Sequence, residues 1–210
     1  DSETQWSRLA ARYLRKEFAL TKEVKRATVH IAGMGLYELF INGQRIGEQV
    51  LAPAPTDYRK TILYNTYDVT PQLQKENAIG VILGNGRFYT MRQNYKPYKI
   101  PTFGYPKLRL NLIVEYTDGS RQTIASDISW KLTTEGPIRS NEEYDARKEL
   151  GDWNRTGYDD TNWIPAGRVS IPSGTLRAQM MPGMKVTESL KPVSIRKQGD
   201  KQILDIGQNM

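Results

Sequence analysis

The 210-residue chain contains no cysteine, which excludes disulfides, thiolate metal sites and a thiol nucleophile. That absence fits reducing and oxidising compartments alike, so it assigns neither. No stretch approaches the ~18 consecutive apolar residues of a membrane-spanning helix, and membrane insertion is not expected. The opening DSETQW lacks the basic and apolar segments of a secretion signal, so any signal is expected to have been removed already. Dense basic blocks are missing too. The formal net charge is +7, from 30 Lys and Arg against 23 Asp and Glu, but Arg12, Arg15, Lys16, Lys22, Lys25 and Arg26 are interspersed with acids. With no nucleic-acid motif present, a solvated surface is the better reading and no nucleic-acid partner is expected. The lone His30 lies inside ATVHIAG without a Ser or Asp pattern that would make it a catalytic base, so a structural role is expected.

What the chain has is amphipathic aromatics, 12 Tyr and 4 Trp against 4 Phe, which suit pleated surfaces and stacking on ligands. Its pattern is strand after strand. Tyr13 to Leu20, Ala27 to Gly33 and Gly35 to Gly43 alternate, the last placing Tyr37, Leu39 and Ile41 on one face. Asn42-Gly43 is the strongest hairpin signal, because both residues accept the positive φ of a two-residue turn. Strands are predicted at Thr61 to Thr70, Asn77 to Asn85 and Tyr105 to Tyr116, with a second hairpin at Asp118-Gly119 and a further strand at Ile128 to Thr134. A short turn of helix is predicted where Thr70, as N-cap, precedes Pro71. Strands at about ten-residue spacing with almost no helix indicate an all-β sandwich or jelly roll. Trp6, Trp130, Trp153 and Trp163 are assigned mainly to the core.

Gly84-Asn85-Gly86 lacks the GxGxxG pattern and a following helix, so it reads as a tight turn and not a phosphate cradle. From about Gly167 the alternation fades. Residues 167–183 read as a connector, and 184–210 as the truncated start of a next β domain.

Several ordered segments are similar to the N-terminal domain of bacterial α-L-rhamnosidases of glycoside hydrolase family 78. They are GLYELFINGQRIGEQVLAPAPTDYRKTILYNTYDVT, NAIGVILGNGRFY, YTDGS, SWKLTTEGPI, EYDAR, GDWNRTGYDDTNWIPA and LDIGQNM. The resemblance runs from about Tyr13 to the end of the chain. It implies a jelly-roll, galactose-binding-like β-sandwich over 13–166, and a next β-sandwich domain opening near LDIGQNM. It also implies periplasmic or secreted location and a catalytic helical barrel elsewhere in the same polypeptide. The loop before the YDAR-like motif is shorter here than the family's acidic one, with only SNEE before Tyr144.

Inverting hydrolysis needs a general acid and base about 6.5–9.5 Å apart. The acid clusters Glu142-Glu143-Tyr144-Asp145 and Asp159-Asp160 fall in loops where such residues are usually solvated or cap turns, so no catalytic residue is assigned. No cofactor is required. Jelly-roll sugar-binding modules, including related rhamnose-binding ones, can hold Ca²⁺; Asp57, Asn85, Asn94, Asn141, Asp145, Asp152 and Asp159 offer oxygen ligands, but no spacing selects a set.

Sugar recognition needs an aromatic platform and planar polar side chains, and the C6 methyl of rhamnose adds apolar surface. Arg87 to Tyr105 interleaves aromatics with Arg, Gln and Asn, and supplies the candidates Arg87, Tyr89, Asn94, Tyr95 and Tyr98 for a rhamnose-containing glycan or glycoside. The alternative is that these rings only brace the loop against the sandwich or another domain; the length of the loop favours function slightly. Tyr144, Asp145 and Arg147 form a second candidate group, where a buried Asp–Arg pair pinning the loop is preferred to sugar contact.

Overall fold

A computed structural model describes residues 8–90, 103–140, 143–170 and 172–208. Among them the strands are β1 (Arg12–Ala19), β2 (Val24–Met34), β3 (Leu36–Ile41), β4 (Gln44–Arg45), β5 (Thr61–Asp68), β6 (Glu76–Gly84), β7 (Lys107–Tyr116), β8 (Arg121–Ala125), β9 (Lys131–Thr133), β10 (Ile138–Arg139), β11 (Glu143–Tyr144), β12 (Ile164–Pro165), β13 (Thr175–Ala178), β14 (Ser194–Gln198) and β15 (Lys201–Asp205). A six-stranded sheet runs in the order β12-β9-β1-β6-β3-β4 and a five-stranded sheet in the order β13-β5-β2-β7-β8.

The alternation in the sequence decides which side chains the sheets bury between them. Leu39 and Ile41 of β3 and Ile79 and Val81 of β6 meet Val29 and Ile31 of β2 and Leu110, Leu112 and Val114 of β7 in one core. Each fully buried aliphatic chain there contributes roughly 1.5–3 kcal/mol. Trp130 closes the core and donates its indole N–H to the Ala125 carbonyl at 2.9 Å. The β3–β4 hairpin turns at Asn42 and Gly43, with φ of 51° and 80°, and the β7–β8 hairpin turns with Gly119 at φ 83°. Asn42 is also tied down through its side chain, which donates to the Gln72 carbonyl and accepts from the Ala78 N–H, both at 2.9 Å.

The outer face of the six-stranded sheet is covered as well. Tyr13, Phe40 and Ile82 lie beneath Leu150, Trp153, Tyr158 and Trp163, so residues 150–163 form a strap across the sheet. Arg15, 2% exposed, anchors it. Its guanidinium donates to the carbonyls of Trp153 at 2.8 Å and Arg155 at 2.9 Å, and pairs with Asp160 and Glu17.

Three expectations are corrected. The segment 167–183 is more than a connector: Thr175–Ala178 pairs in parallel with β5 as the edge strand of the five-stranded sheet, which satisfies backbone groups that β5 would otherwise leave open. The strand expected from Ile128 begins only at Lys131, because the Asp127 carboxylate accepts the Ser129 N–H at 2.8 Å and bends the chain into a turn. The helical turn forms as a 3₁₀ helix at Thr70–Gln72 with Pro71 in its first turn, but its cap is Val69. The Thr70 hydroxyl instead donates to Asp68 and accepts from the Ala27 N–H.

Candidate functional site

At the end of the sandwich where β1 and β7 begin and β6 ends, the two sheets part around a cleft of about 690 Å³. Leu14, Leu83, Leu108, Trp130 and Leu132 supply apolar walls, and Ala166–Val169 run past its mouth. Polar groups reach it from separate stretches of chain: Arg12, Tyr105, Lys107, Ser126, Asp127 and Arg168.

Tyr105 is placed by what flanks it. Gly104 takes φ 123°, a turn few side chains allow, and Pro106 holds the residue before it extended as the chain enters β7. The Tyr105 ring stacks on Tyr89 with centroids 5.8 Å apart and planes 15° from parallel, and 42% of the residue stays exposed. It is therefore a flat, oriented aromatic wall. Asp127 accepts from the Ser129 N–H and hydroxyl and lies 3.5 Å from Lys16 Nζ. The Ser129 bonds, with a smaller effect from Lys16, hold its carboxyl below the usual range, so it is ionised at neutral pH. Lys107 Nζ donates to the Ser170 carbonyl and hydroxyl at 3.0 and 3.1 Å, both neutral acceptors. A cleft of this volume with an exposed aromatic, a hydroxyl, a carboxylate and cations on an apolar base has the make-up of a small polar-ligand site. Asp127 is the one carboxylate lining it among the described residues.

The residues predicted from sequence are distributed more widely. Arg87 is exposed at the start of the aromatic segment. Tyr89 is only 5% exposed, so it supports Tyr105 from below and offers little ring surface of its own. Asn94, Tyr95 and Tyr98 lie outside the described residues. Tyr144 is 60% exposed and donates its hydroxyl to Glu149. The Asp145–Arg147 pair forms, with two contacts of 2.8 Å, but on the surface: the Arg147 side chain is 89% exposed, against the expectation of a buried pin. Asp145 also accepts the Arg147 N–H at 3.2 Å and so caps a short 3₁₀ turn, Ala146–Lys148, a local task that needs no burial. Of the described candidates, Arg87, Tyr144, Asp145 and Arg147 do not line the cleft, and Tyr89 is tied to it through Tyr105. Tyr105 had a visible signal as part of the aromatic segment. Asp127 and Arg168 had none, because neither belongs to a motif.

Of the oxygen ligands considered for calcium, Asp57 is engaged by Arg59, Asp145 by Arg147, Asp152 by Arg155 and Asp159 by Thr161, while Asn85 donates to the Leu9 carbonyl at 3.3 Å and its buried Oδ1 has no hydrogen-bond partner among the described residues; Asn94 and Asn141 lie outside the described residues. No group of three or more His, Cys, Asp or Glu suited to a metal ion occurs among the described residues.

Two facing β-sheets, a strap over one outer face and an open end cleft define an all-β sandwich domain. Residues 22–188 match the profile of the Alpha-L-rhamnosidase N-terminal domain, and the chain belongs to that family. It is 41% identical over 212 residues to an Alpha-L-rhamnosidase of Formosa agariphila, a match covering 96% of this chain and 22% of that protein. The solved alpha-L-rhamnosidase of Dictyoglumus thermophilum aligns with a TM-score of 0.83 at 43% identity, over 95% of this chain and 22% of the other. The Streptomyces avermitilis alpha-L-rhamnosidase, solved with L-rhamnose, gives a TM-score of 0.84 at 35% identity, over 97% of this chain and 20% of that one. The chain thus spans about a fifth of the length of these relatives.

Proposed function

We propose that this chain is a non-catalytic carbohydrate-recognition domain of a periplasmic or secreted α-L-rhamnosidase that removes terminal α-L-rhamnosyl residues, and that the end cleft holds a rhamnose-containing glycan or glycoside. The observation that carries this reading is the Tyr89–Tyr105 stack, which presents an exposed ring at the mouth of a sugar-sized cleft. A ring held from behind loses little freedom when a sugar packs on its other side, so most of the contact energy appears as affinity. The C6 methyl of rhamnose would extend the apolar contact. A monosaccharide has few atoms, so millimolar affinity, about 4 kcal/mol, is expected.

The test is an NMR titration with L-rhamnose to about tens of millimolar. Binding by the native chain, lost in Tyr105→Ala with the melting temperature retained, supports the reading. No response in the native chain overturns it. The chain alone should also release no p-nitrophenol from its α-L-rhamnoside, the acid and base being assigned to other domains of the same polypeptide; release above a vector control would overturn the non-catalytic part.

A second reading, structural support of neighbouring domains, is favoured by one feature. Met180, Met184, Val186, Val193, Ile195 and Leu204 are all more than half exposed, and β14 and β15 form a separate two-stranded sheet. Such a ribbon is marginal in water without a packing partner.

A further inference from the structure

We propose that the end cleft prefers a sugar residue carrying an anionic substituent, a carboxylate or a sulfate ester, over a neutral one. This rests on the carbohydrate reading of the same cleft. The argument is one of charge. Elsewhere on the surface many basic side chains face acids, as in Arg45–Glu38, Arg59–Asp57, Arg121–Glu115 and Lys185–Glu48. Among the described residues, Lys107 in the cleft bonds only the neutral oxygens of Ser170, and Arg168 is exposed with no carboxylate in ion-pair range. The one acid lining the cleft among the described residues, Asp127, is turned to Ser129 and Lys16. Arg12 also lines the wall and donates to the Ala10 carbonyl at 3.2 Å.

Lys107 and Arg168 therefore keep their charge at the mouth of a concavity with apolar walls, where the potential is focused and less screened than on an open surface. The guanidinium of Arg168 presents a planar fork that matches two oxygens of a carboxylate or sulfate, while Lys107 acts as a point charge. Tyr105 would take the apolar face of the ring while the two cations meet its anionic substituent. The net charge of +7 adds a favourable long-range field for such a ligand.

The experiment is calorimetric or NMR titration of the 210-residue chain at low ionic strength and again at about 0.3 M salt. The probes are methyl α-L-rhamnoside and its 3-sulfate, methyl β-D-glucoside and methyl β-D-glucuronide, and inorganic sulfate alone. The expected result is about 5- to 10-fold tighter binding of at least one anionic sugar than of its neutral counterpart. The two pairs distinguish sulfate from carboxylate preference. High salt, or the double variant Lys107→Gln/Arg168→Gln, should bring the ratio close to one. Equal affinity for charged and neutral partners, or an advantage that survives in the double variant, overturns the inference and leaves the carbohydrate reading intact. Inorganic sulfate binding as tightly as the sulfated rhamnoside reduces the site to an anion patch and overturns it as well. No binding of any sugar removes both. Should the double variant not fold, the salt dependence of the native chain decides alone: a charged advantage insensitive to salt overturns the inference.

Discussion

Trp153 occupies the space above Gly80: a Cβ on Gly80 would stand 2.7 Å from Cζ3 of the indole. The glycine interrupts the apolar run of β6 because the strap needs its widest side chain at that point. There Trp153 meets Tyr13 edge-on at 5.1 Å, Phe40 at 5.8 Å and Trp163 in a stack at 6.2 Å. A glycine inside a strand often marks the close approach of another segment, and here that segment is a tryptophan twice as far along the chain.

Gly80→Val should push the indole off the sheet and open the strap. Overpacking of this kind costs about 1–3 kcal/mol. Urea denaturation followed by tryptophan fluorescence measures it, and an unchanged midpoint would mean the strap is not packed as described.

Arg15→Met should cost more, about 3–5 kcal/mol, since it leaves two strap carbonyls without their donor and Asp160 with Lys131 alone. Arg15→Lys should recover only part of the loss, because an ammonium cannot reach four acceptors with a planar fork. Thermal melting of the three proteins ranks them.

Acid should loosen the strap. Burial alone would raise the Asp160 carboxyl, but hydrogen bonds from Lys131 and Arg15 outweigh it and hold the group below the usual range. A carboxylate depressed in the folded state adds stability above its unfolded pKa of about 4 and loses it as pH falls through the lower folded value. The melting temperature should therefore fall below about pH 4 more steeply in the native chain than in Asp160→Asn. Parallel curves would show that the pair contributes nothing.

Gly43→Val should destabilise the β3–β4 hairpin by about 1 kcal/mol or more, because a β-branched residue resists positive φ and Gly43 takes φ 80°. The added Cβ would also stand 2.7 Å from the Arg155 guanidinium, a flexible group that can move aside, so backbone strain is the main cost. Chemical denaturation gives the difference directly, and an equal midpoint counts against a required left-handed turn.

The sequence by itself determined the long strands of the two sheets, the buried faces of β3 and β7, and the two hairpins. Leu108 to Val114 alternates with the period of a strand, Asn77 to Leu83 is an apolar run of strand length that ends in a glycine turn, and Asn42-Gly43 accepts a turn that most residue pairs refuse. Each of these depends on neighbours a few positions away, where backbone geometry is dictated by residue type. The tertiary structure alone decided that Arg15 is buried, that Thr175–Ala178 lies beside β5, and that Arg12, Tyr105, Asp127 and Arg168 surround one cleft. Those outcomes depend on which sheets pack and where their ends part, a balance of contacts summed over the whole chain that leaves no local pattern at any single residue.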